Sequence, residues 1–448
     1  MNKDSRGVAV TGADAFALAR YDRALEQFQS YVGDPLATIE EAIDAAPSFV
    51  AGRLLKALVL YTLAERKFVP MASAALEAAR EHLAGANERE RALAAATGLL
   101  VDGRWDAGCA AIDRVLASEP RDALALQAAH LMDFYRGDAL NLRNRISRVM
   151  PHWNASVPGY SYVLGMHAFG LEEMNQYAEA EATALQALSM QPKDGWAVHA
   201  AVHVFEMQGR IDEGIAFLAS REGDWAPGNG FAFHNFWHLA LFHMDTARFE
   251  AALELFDRHV HPEPASYLLS LVDATALLWR LRLEGADVGN RFERVADDWQ
   301  SRWDGEAGFY AFNDVHAAMA FAMTGRDTIL SQLFERMHAT ALEASASAAI
   351  VREVGLPLAT GLAAFAQGRY ADAIGAIEPV RDSANRFGGS HAQRDLLTLT
   401  LIEAALRTGD TSRARHYAAE RIVHKPASRW GMRLWARADS TTRLSEAA

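Results

Sequence analysis

Histidine is concentrated in one stretch of the sequence whose other residues are mostly apolar. Five of the sixteen histidines fall between residues 199 and 243. His199 and His203 are four residues apart, as are His234 and His238, so each pair would share one face of a helix. Neutral imidazole binds zinc, iron, nickel and copper well, and it is also a common general acid or base. The spacing therefore predicts a functional site in this stretch.

Helix-opening phrases at Tyr177 and Ile211 are 34 residues apart, which is the tetratricopeptide period. This pattern indicates which neighbouring side chains would share the site. In that repeat, the first helix of each pair lines the inner surface of the array. Positions three and four residues apart form one stripe on such a helix. When the repeat is counted from Gly195 and from Phe233, two adjacent inner stripes carry four histidines, two tryptophans and one carboxylate. The predicted ligand-binding residues are Trp196, His199, His203, Glu206, His234, Trp237 and His238.

Three chemistries are compatible with these residues. They could hold a transition metal, bind a small molecule or short peptide without a metal, or be hydrogen-bonded histidines that pack between helices. The pattern is not that of a metallopeptidase, because Ala200 stands where His-Glu-x-x-His needs its glutamate. Glu206, one turn after His203, could orient an imidazole or act as a base. The catalytic residues, the metal and the cofactor all stay open at this stage.

Four further residues are secondary candidates for the site. One occupies a repeat position that usually carries a large apolar residue, which favours a structural role for it. Two open a later helix, and the fourth follows a glycine pair at the predicted start of another inner helix. These candidates are His167, Asp314, His316 and His391.

Recurring phrases along the chain predict the fold. Turn-like dipeptides such as Gly209-Arg precede short helix-opening phrases, and two of these phrases, at Tyr177 and Ile211, are 34 residues apart, the tetratricopeptide period. We predict an all-α fold, a strongly curved tetratricopeptide-like α-solenoid of stacked antiparallel helix pairs. It would form a single continuous domain over residues 1–448, with central repeats at about 160–260. We expect a helix over 370–387, a last helix over 411–423, and a polar tail from about 441.

Composition narrows the class of protein. The formal charge is −13, and no basic block stands out, so nucleic acid is not expected as a partner. The single cysteine, Cys109, fits a reducing compartment and a core position. We see no signal-peptide core and no apolar run of about 18 residues, so we expect a cytoplasmic protein that does not use a membrane.

Several phrases resemble the tetratricopeptide repeat protein 38 family. The likeness lies in residues 196–215 and 234–243, and it extends to 21–25 near the start and 388–395 near the end. The resemblance implies a helical-repeat fold and a cytoplasmic setting. It supplies no activity, catalytic residue or metal.

Three functions follow as hypotheses. The first is a repeat protein that binds a small molecule or short peptide in a groove rich in histidine and tryptophan. The second is an enzyme, with or without a metal, that uses the same histidines and Glu206 to hydrolyse or rearrange a small substrate. The third is a scaffold for protein–protein interactions, the usual role of such arrays. A homo-oligomer is also left open.

Overall fold

Helices make up nearly all the regular structure. The computed structural model describes residues 2–265, 267–343 and 345–446. Within these ranges, strands form only one short antiparallel hairpin, β1 (Asn2–Lys3) with β2 (Ala9–Val10), in which Asn2 lies opposite Val10. The predicted all-α class is confirmed.

The described residues form two compact units. Unit 1 comprises residues 2–201 together with Gly223–Phe231, and unit 2 comprises Val202–Glu222 together with the chain from Ala232 onward. Whether they act as the single continuous, strongly curved domain predicted from the sequence stays a prediction.

The helices of unit 1 follow one another along the chain as pairs. Their bounds are α1 (Ala15–Ser30), α2 (Pro35–Ala45), α3 (Val50–Tyr61), α4 (Val69–Arg80), α5 (Glu88–Val101), α6 (Trp105–Ser118), α7 (Ala123–Tyr135), α8 (Ala139–Val149), α9 (Tyr160–Glu173) and α10 (Tyr177–Met190). Short 3₁₀ turns occur at Arg66–Phe68, Leu83–Gly85 and Met150–His152.

Two helices contain residues of both units, and twelve more follow among the described residues. The spanning helices are α11 (Gly195–Gln208) and α12 (Ile211–Trp225). Those that follow are α13 (Ala232–Asp245), α14 (Phe249–Leu255), α15 (Leu268–Leu283), α16 (Arg291–Glu306), α17 (Ala311–Met323), α18 (Asp327–Ala341), α19 (Ala346–Ile350), α20 (Leu356–Ala366), α21 (Tyr370–Ile377), α22 (His391–Thr408), α23 (Thr411–His424) and α24 (Arg429–Glu446). Phe256–Val260 and Val351–Gly355 are π-helical, and Glu378–Phe387 is 3₁₀.

Local sequence explains where the helices begin and how the repeat arises. The Asp122 and Asp138 carboxylates accept backbone N–H bonds at the starts of α7 and α8, as N-cap residues do. Successive helices pack on one another, for example α7 on α8, α8 on α9 and α9 on α10. Because α5, α7 and α9 begin at Glu88, Ala123 and Tyr160, their spacing is close to the tetratricopeptide period.

Two expectations about helices in the second half of the chain were wrong. The helix predicted over 370–387 ends at Ile377, because Pro379 lacks the N–H that an α-helix needs there. The array does not close with 411–423, since α24 follows and packs on α23 and α13. This helix includes residues 441–446, placed above in a polar tail, while 447–448 lie outside the described residues.

The expectation that the chain has no apolar run of about 18 residues was also wrong. By length and composition alone, Ser347–Ala366 would be long and apolar enough to cross a membrane. In the fold, 67% of the apolar 18-residue window within this stretch is buried inside the protein. This burial is what a core helix of a helical array requires, because it contacts neighbours on several sides.

Candidate functional site

Three histidines of unit 2 lie side by side on two helices. His203 is on α11, and His234 and His238 are one turn apart on α13. The ring centroids of His203 and His238 are 4.5 Å apart, and those of His234 and His238 are 4.8 Å apart. One ring nitrogen of each histidine lies within 4.8 Å of those of the other two. We call these three residues the imidazole cluster.

Two buried carboxylates orient the rings of α13. Nδ1 of His238 is 2.8 Å from Oε2 of Glu206, and Nδ1 of His234 is 2.6 Å from Oδ2 of Asp273 on α15. A carboxylate can only accept, so we assign the ring proton to Nδ1 in both histidines. This tautomer leaves Nε2 with the lone pair. Such an arrangement increases the basicity of a ligating or catalytic imidazole.

Lys425 extends this network from the C-terminal end of α23. Its Nζ lies 2.7 Å from Oε1 of Glu206 and 3.4 Å from Oδ2 of Asp395. Arg421 donates to the same Asp395 carboxylate at 2.9 Å. All four side chains are largely buried, so the charges interact with little screening by water.

Burial and this network leave Glu206 charged and His238 neutral. Burial alone would raise the pKa of Glu206, but Lys425 and the hydrogen bond from His238 hold that pKa well below its usual value. Burial, followed by the neighbouring His203, lowers the pKa of His238 well below its usual value. Near neutral pH, Glu206 is therefore an anion and His238 a neutral base.

Asp273, the carboxylate that contacts His234, is itself held by a hydrogen bond. The side-chain amide of Gln393 donates to Oδ1 of Asp273 at 3.3 Å. Gln393 also belongs to a capping box with Ser390 at the start of α22, which fixes its position. Asp273, and through it the ring of His234, is thus held by three helices.

Trp237 packs against the cluster. Its ring is nearly parallel to that of His234, with centroids 5.3 Å apart, and it meets His238 edge-on at 4.9 Å. The Arg280 guanidinium lies 5.3 Å from the Trp237 ring centroid, within the range of a cation–π contact. Burial lowers the pKa of Arg280 to about 10, so it remains a cation.

A small polar cavity adjoins the network. Its volume is about 20 Å³, enough for about one water molecule. Charged side chains dominate its lining, which includes Glu206, Arg280, Asp395, Arg421 and Lys425. Because His203 and His238 are 0% exposed and His234 is 6% exposed, the imidazole cluster is suited to a ligand of very small size.

The structure places Trp196 and His199 with unit 1. The Trp196 ring stacks on that of Tyr31 at 5.8 Å. The His199 ring is 5.0 Å from both Trp196 and Phe169 and 5.1 Å from Phe231. Within unit 1, these two residues belong to an aromatic cluster, and their predicted role in ligand binding stays a prediction.

The secondary candidates have individual local contacts. Nε2 of His167 is 3.0 Å from the Ser147 hydroxyl, and burial lowers the pKa of this half-buried histidine. Asp314 accepts the backbone N–H of Gly308 at 3.0 Å.

The other two secondary candidates, His316 and His391, also have local environments of their own. His316 donates from Nδ1 to its own helix at Phe312 O, and burial lowers its pKa to about 4. His391 is partly exposed as the first residue of α22.

Sequence reasoning missed Asp273 and Lys425. For Asp273 a signal was present, because it is a lone carboxylate in the apolar helix α15, where a buried charge needs a partner. For Lys425 no local pattern existed, since 219 residues separate it from Glu206.

Comparison with known proteins leaves the family open. No protein-family model matches the sequence. Similar solved structures include the human IFIT1 dimer with m7Gppp-AAAA, at 12% identity and a TM-score of 0.43 over 97% of this chain and 96% of that one. The APC/C hetero-tetramer Cut9–Hcn1 matches at 15% identity and a TM-score of 0.39, over 94% and 73% of the two chains. The TPR domain of P58(IPK) matches at 11% identity and a TM-score of 0.22, over 96% and 99%. At these values we carry no ligand, partner or family over to this chain.

Proposed function

We propose that this chain is a helical-repeat protein that binds a small ligand at the imidazole cluster. The observation that supports this most directly is the pair of oriented imidazoles, His234 on Asp273 and His238 on Glu206. Histidines that merely fill a core do not need two buried carboxylates, because burying a carboxylate costs free energy that an apolar side chain avoids. The same arrangement is useful when imidazole must present a lone pair to a ligand.

Burial favours a small molecule or ion over a short peptide. A bound peptide needs an exposed groove for several side chains and for its backbone. His203, His238 and Glu206 are between 0% and 6% exposed. This accessibility suits a ligand of a few atoms at the imidazoles. We also propose the cytoplasmic setting and the absence of nucleic-acid partners expected from the composition.

Native mass spectrometry of untagged protein tests this proposal without a known ligand. We expect the native mass to exceed the mass of the denatured chain by one small ligand. The variant His234→Ala/His238→Ala should lose this excess, whereas His243→Ala should keep it, because His243 lies on the same helix outside the cluster. Circular dichroism would check that both variants remain helical. Equal native and denatured masses for the wild type, with no metabolite changing its melting temperature, would contradict the proposal.

An enzyme is the second candidate function. It is favoured by the sequence of contacts from Lys425 to Glu206 to His238, in which a charged carboxylate orients a neutral base. If the ligand is an organic compound, Glu206→Gln should slow its conversion more than its binding. Equal losses of rate and affinity would indicate binding alone.

A further inference from the structure

We infer that the ligand of the imidazole cluster is a divalent transition-metal ion of the zinc type, held by His203, His234 and His238. This inference rests on the proposed function and specifies its ligand. It is carried by four features: the ring spacing, the carboxylate partners, the charge balance and the type of donor.

The ring spacing is close to that of a metal site. A zinc ion about 2.0–2.1 Å from each of three imidazole nitrogens in tetrahedral geometry holds those nitrogens about 3.3 Å apart. In the described structure, one nitrogen of each ring lies within 4.8 Å of the others. The nitrogens must therefore come closer by at most about 1.5 Å to reach ligand positions.

The carboxylates supply the outer contacts that such sites need. A histidine that ligates a metal almost always donates its other N–H to a carboxylate, a carbonyl or water. Glu206 and Asp273 accept from Nδ1 of His238 and His234 in this way. Gln393 and Lys425 hold the two carboxylates in turn. Two of the three imidazoles thus have a fixed tautomer before any ion arrives.

The charges around the cluster do not oppose a cation. Three carboxylates, those of Glu206, Asp273 and Asp395, lie in this region together with three basic side chains, those of Lys425, Arg421 and Arg280. Glu206 and Asp273 lie within hydrogen-bond distance of the imidazoles. Lys425 binds the other oxygen of Glu206, Arg421 binds Asp395, and Arg280 lies over the Trp237 ring.

The donor type selects the class of metal. Three imidazoles suit zinc, cobalt, nickel or copper, whereas calcium and magnesium require oxygen ligands. Three protein ligands also leave one coordination position, which in zinc proteins takes water or a substrate.

Zinc titration of untagged, chelator-treated protein by isothermal calorimetry is the test. We expect one Zn²⁺ per chain for the wild type and for His243→Ala, the control on the same helix. His203→Ala and His238→Ala should lose this binding. Cobalt(II) in place of zinc should give the visible absorption of a tetrahedral nitrogen site in the wild type and in His243→Ala, but not in His203→Ala or His238→Ala.

Conservative variants keep the test decisive if the alanine variants unfold. Glu206→Gln and Asp273→Asn preserve side-chain size and should weaken zinc binding by about 10- to 100-fold, as the loss of such outer contacts typically does. Affinity equal to that of the wild type in all four variants would show binding elsewhere and overturn the inference.

Failure of the inference can be distinguished from failure of the proposed function. A wild type that binds no Zn²⁺ or Co²⁺ but carries an organic molecule in native mass spectrometry would overturn the metal and leave the ligand site standing. A wild type that binds no metal and carries no excess mass would overturn both.

Discussion

Nζ of Lys425 lies 2.7 Å from one oxygen of Glu206, while Nδ1 of His238 lies 2.8 Å from the other oxygen of the same carboxylate. The lysine thus sets the charge of the glutamate, and the glutamate sets the tautomer of the histidine. All three side chains are buried, so a change at Lys425 should reach the imidazole cluster through Glu206.

Replacing Lys425 by methionine should destabilise the protein by about 3–5 kcal/mol, because the Glu206 carboxylate would stay buried without its cation. Urea unfolding of Lys425→Met measures this loss. Adding Glu206→Gln to that variant should recover part of the stability, since the unpaired charge is then gone. Arg210→Ala is the control, because it breaks the exposed pair with Glu213 and should cost less than about 1 kcal/mol. Equal losses for the two single variants would mean that the buried pair contributes little.

Acid should destabilise unit 1 through His130. This residue is 0% exposed, and burial, followed by Arg145, lowers its pKa to about 3. In the unfolded chain its pKa is about 6.5, so below that pH the unfolded state binds a proton that the folded state does not. Stability is therefore lost as the pH falls from 6.5 towards 3, by about 2 kcal/mol at pH 5.

His130→Leu tests this pH dependence. Neither ring nitrogen has a hydrogen-bond partner among the residues that the structure describes, so the substitution removes no such bond. The fall in melting temperature between pH 7 and pH 5 should be smaller for His130→Leu than for the wild type. His152→Leu, at an exposed position, should behave like the wild type. A fall for His130→Leu as large as that of the wild type would rule out this contribution.

A glycine near the network should resist substitution for steric reasons. Gly209 has a φ of +69°, and a Cβ there would lie 2.7 Å from backbone and side-chain carbons of Ala427, two residues after Lys425. Gly368 has a φ of +78° but open space around it. Alanine at either site should destabilise the protein by about 1–2 kcal/mol, because a residue with a Cβ disfavours the left-handed conformation. Only Gly209→Ala adds an overpacking cost of about 1–3 kcal/mol.

Thermal unfolding of these two variants gives the comparison. Gly209→Ala should melt at the lower temperature of the two. Matching melting temperatures would show that the turn at Ala427 moves aside without cost.

Cys109 should be inert in the native protein. Burial raises the pKa of its thiol to about 12, and only the thiolate reacts rapidly with disulfide reagents. Ellman's reagent at pH 8 should titrate close to no thiol in native protein and one thiol per chain in guanidinium chloride. Rapid labelling of native protein would place the thiol at an accessible position.

Local patterns predicted the helical repeat well. Tyr177 and Ile211 begin α10 and α12, because a turn residue followed by a helix-forming phrase acts within a few residues. The spacing of four residues likewise predicted that His234 and His238 are neighbours on one helix face. Contacts between distant segments were beyond such reasoning. Asp273 reaches His234 from another helix, and Lys425 reaches Glu206 across 219 residues. The helix α24 was missed because its polar end resembles a tail.

The long separation between Glu206 and Lys425 has a consequence for synthesis on the ribosome. Glu206 emerges 219 residues before its lysine, so α11 and α13 can meet while the carboxylate still lacks its cation. An unpaired buried charge opposes that early packing. We therefore expect the nascent chain to keep this region loose, and open to chaperones, until Lys425 has been translated.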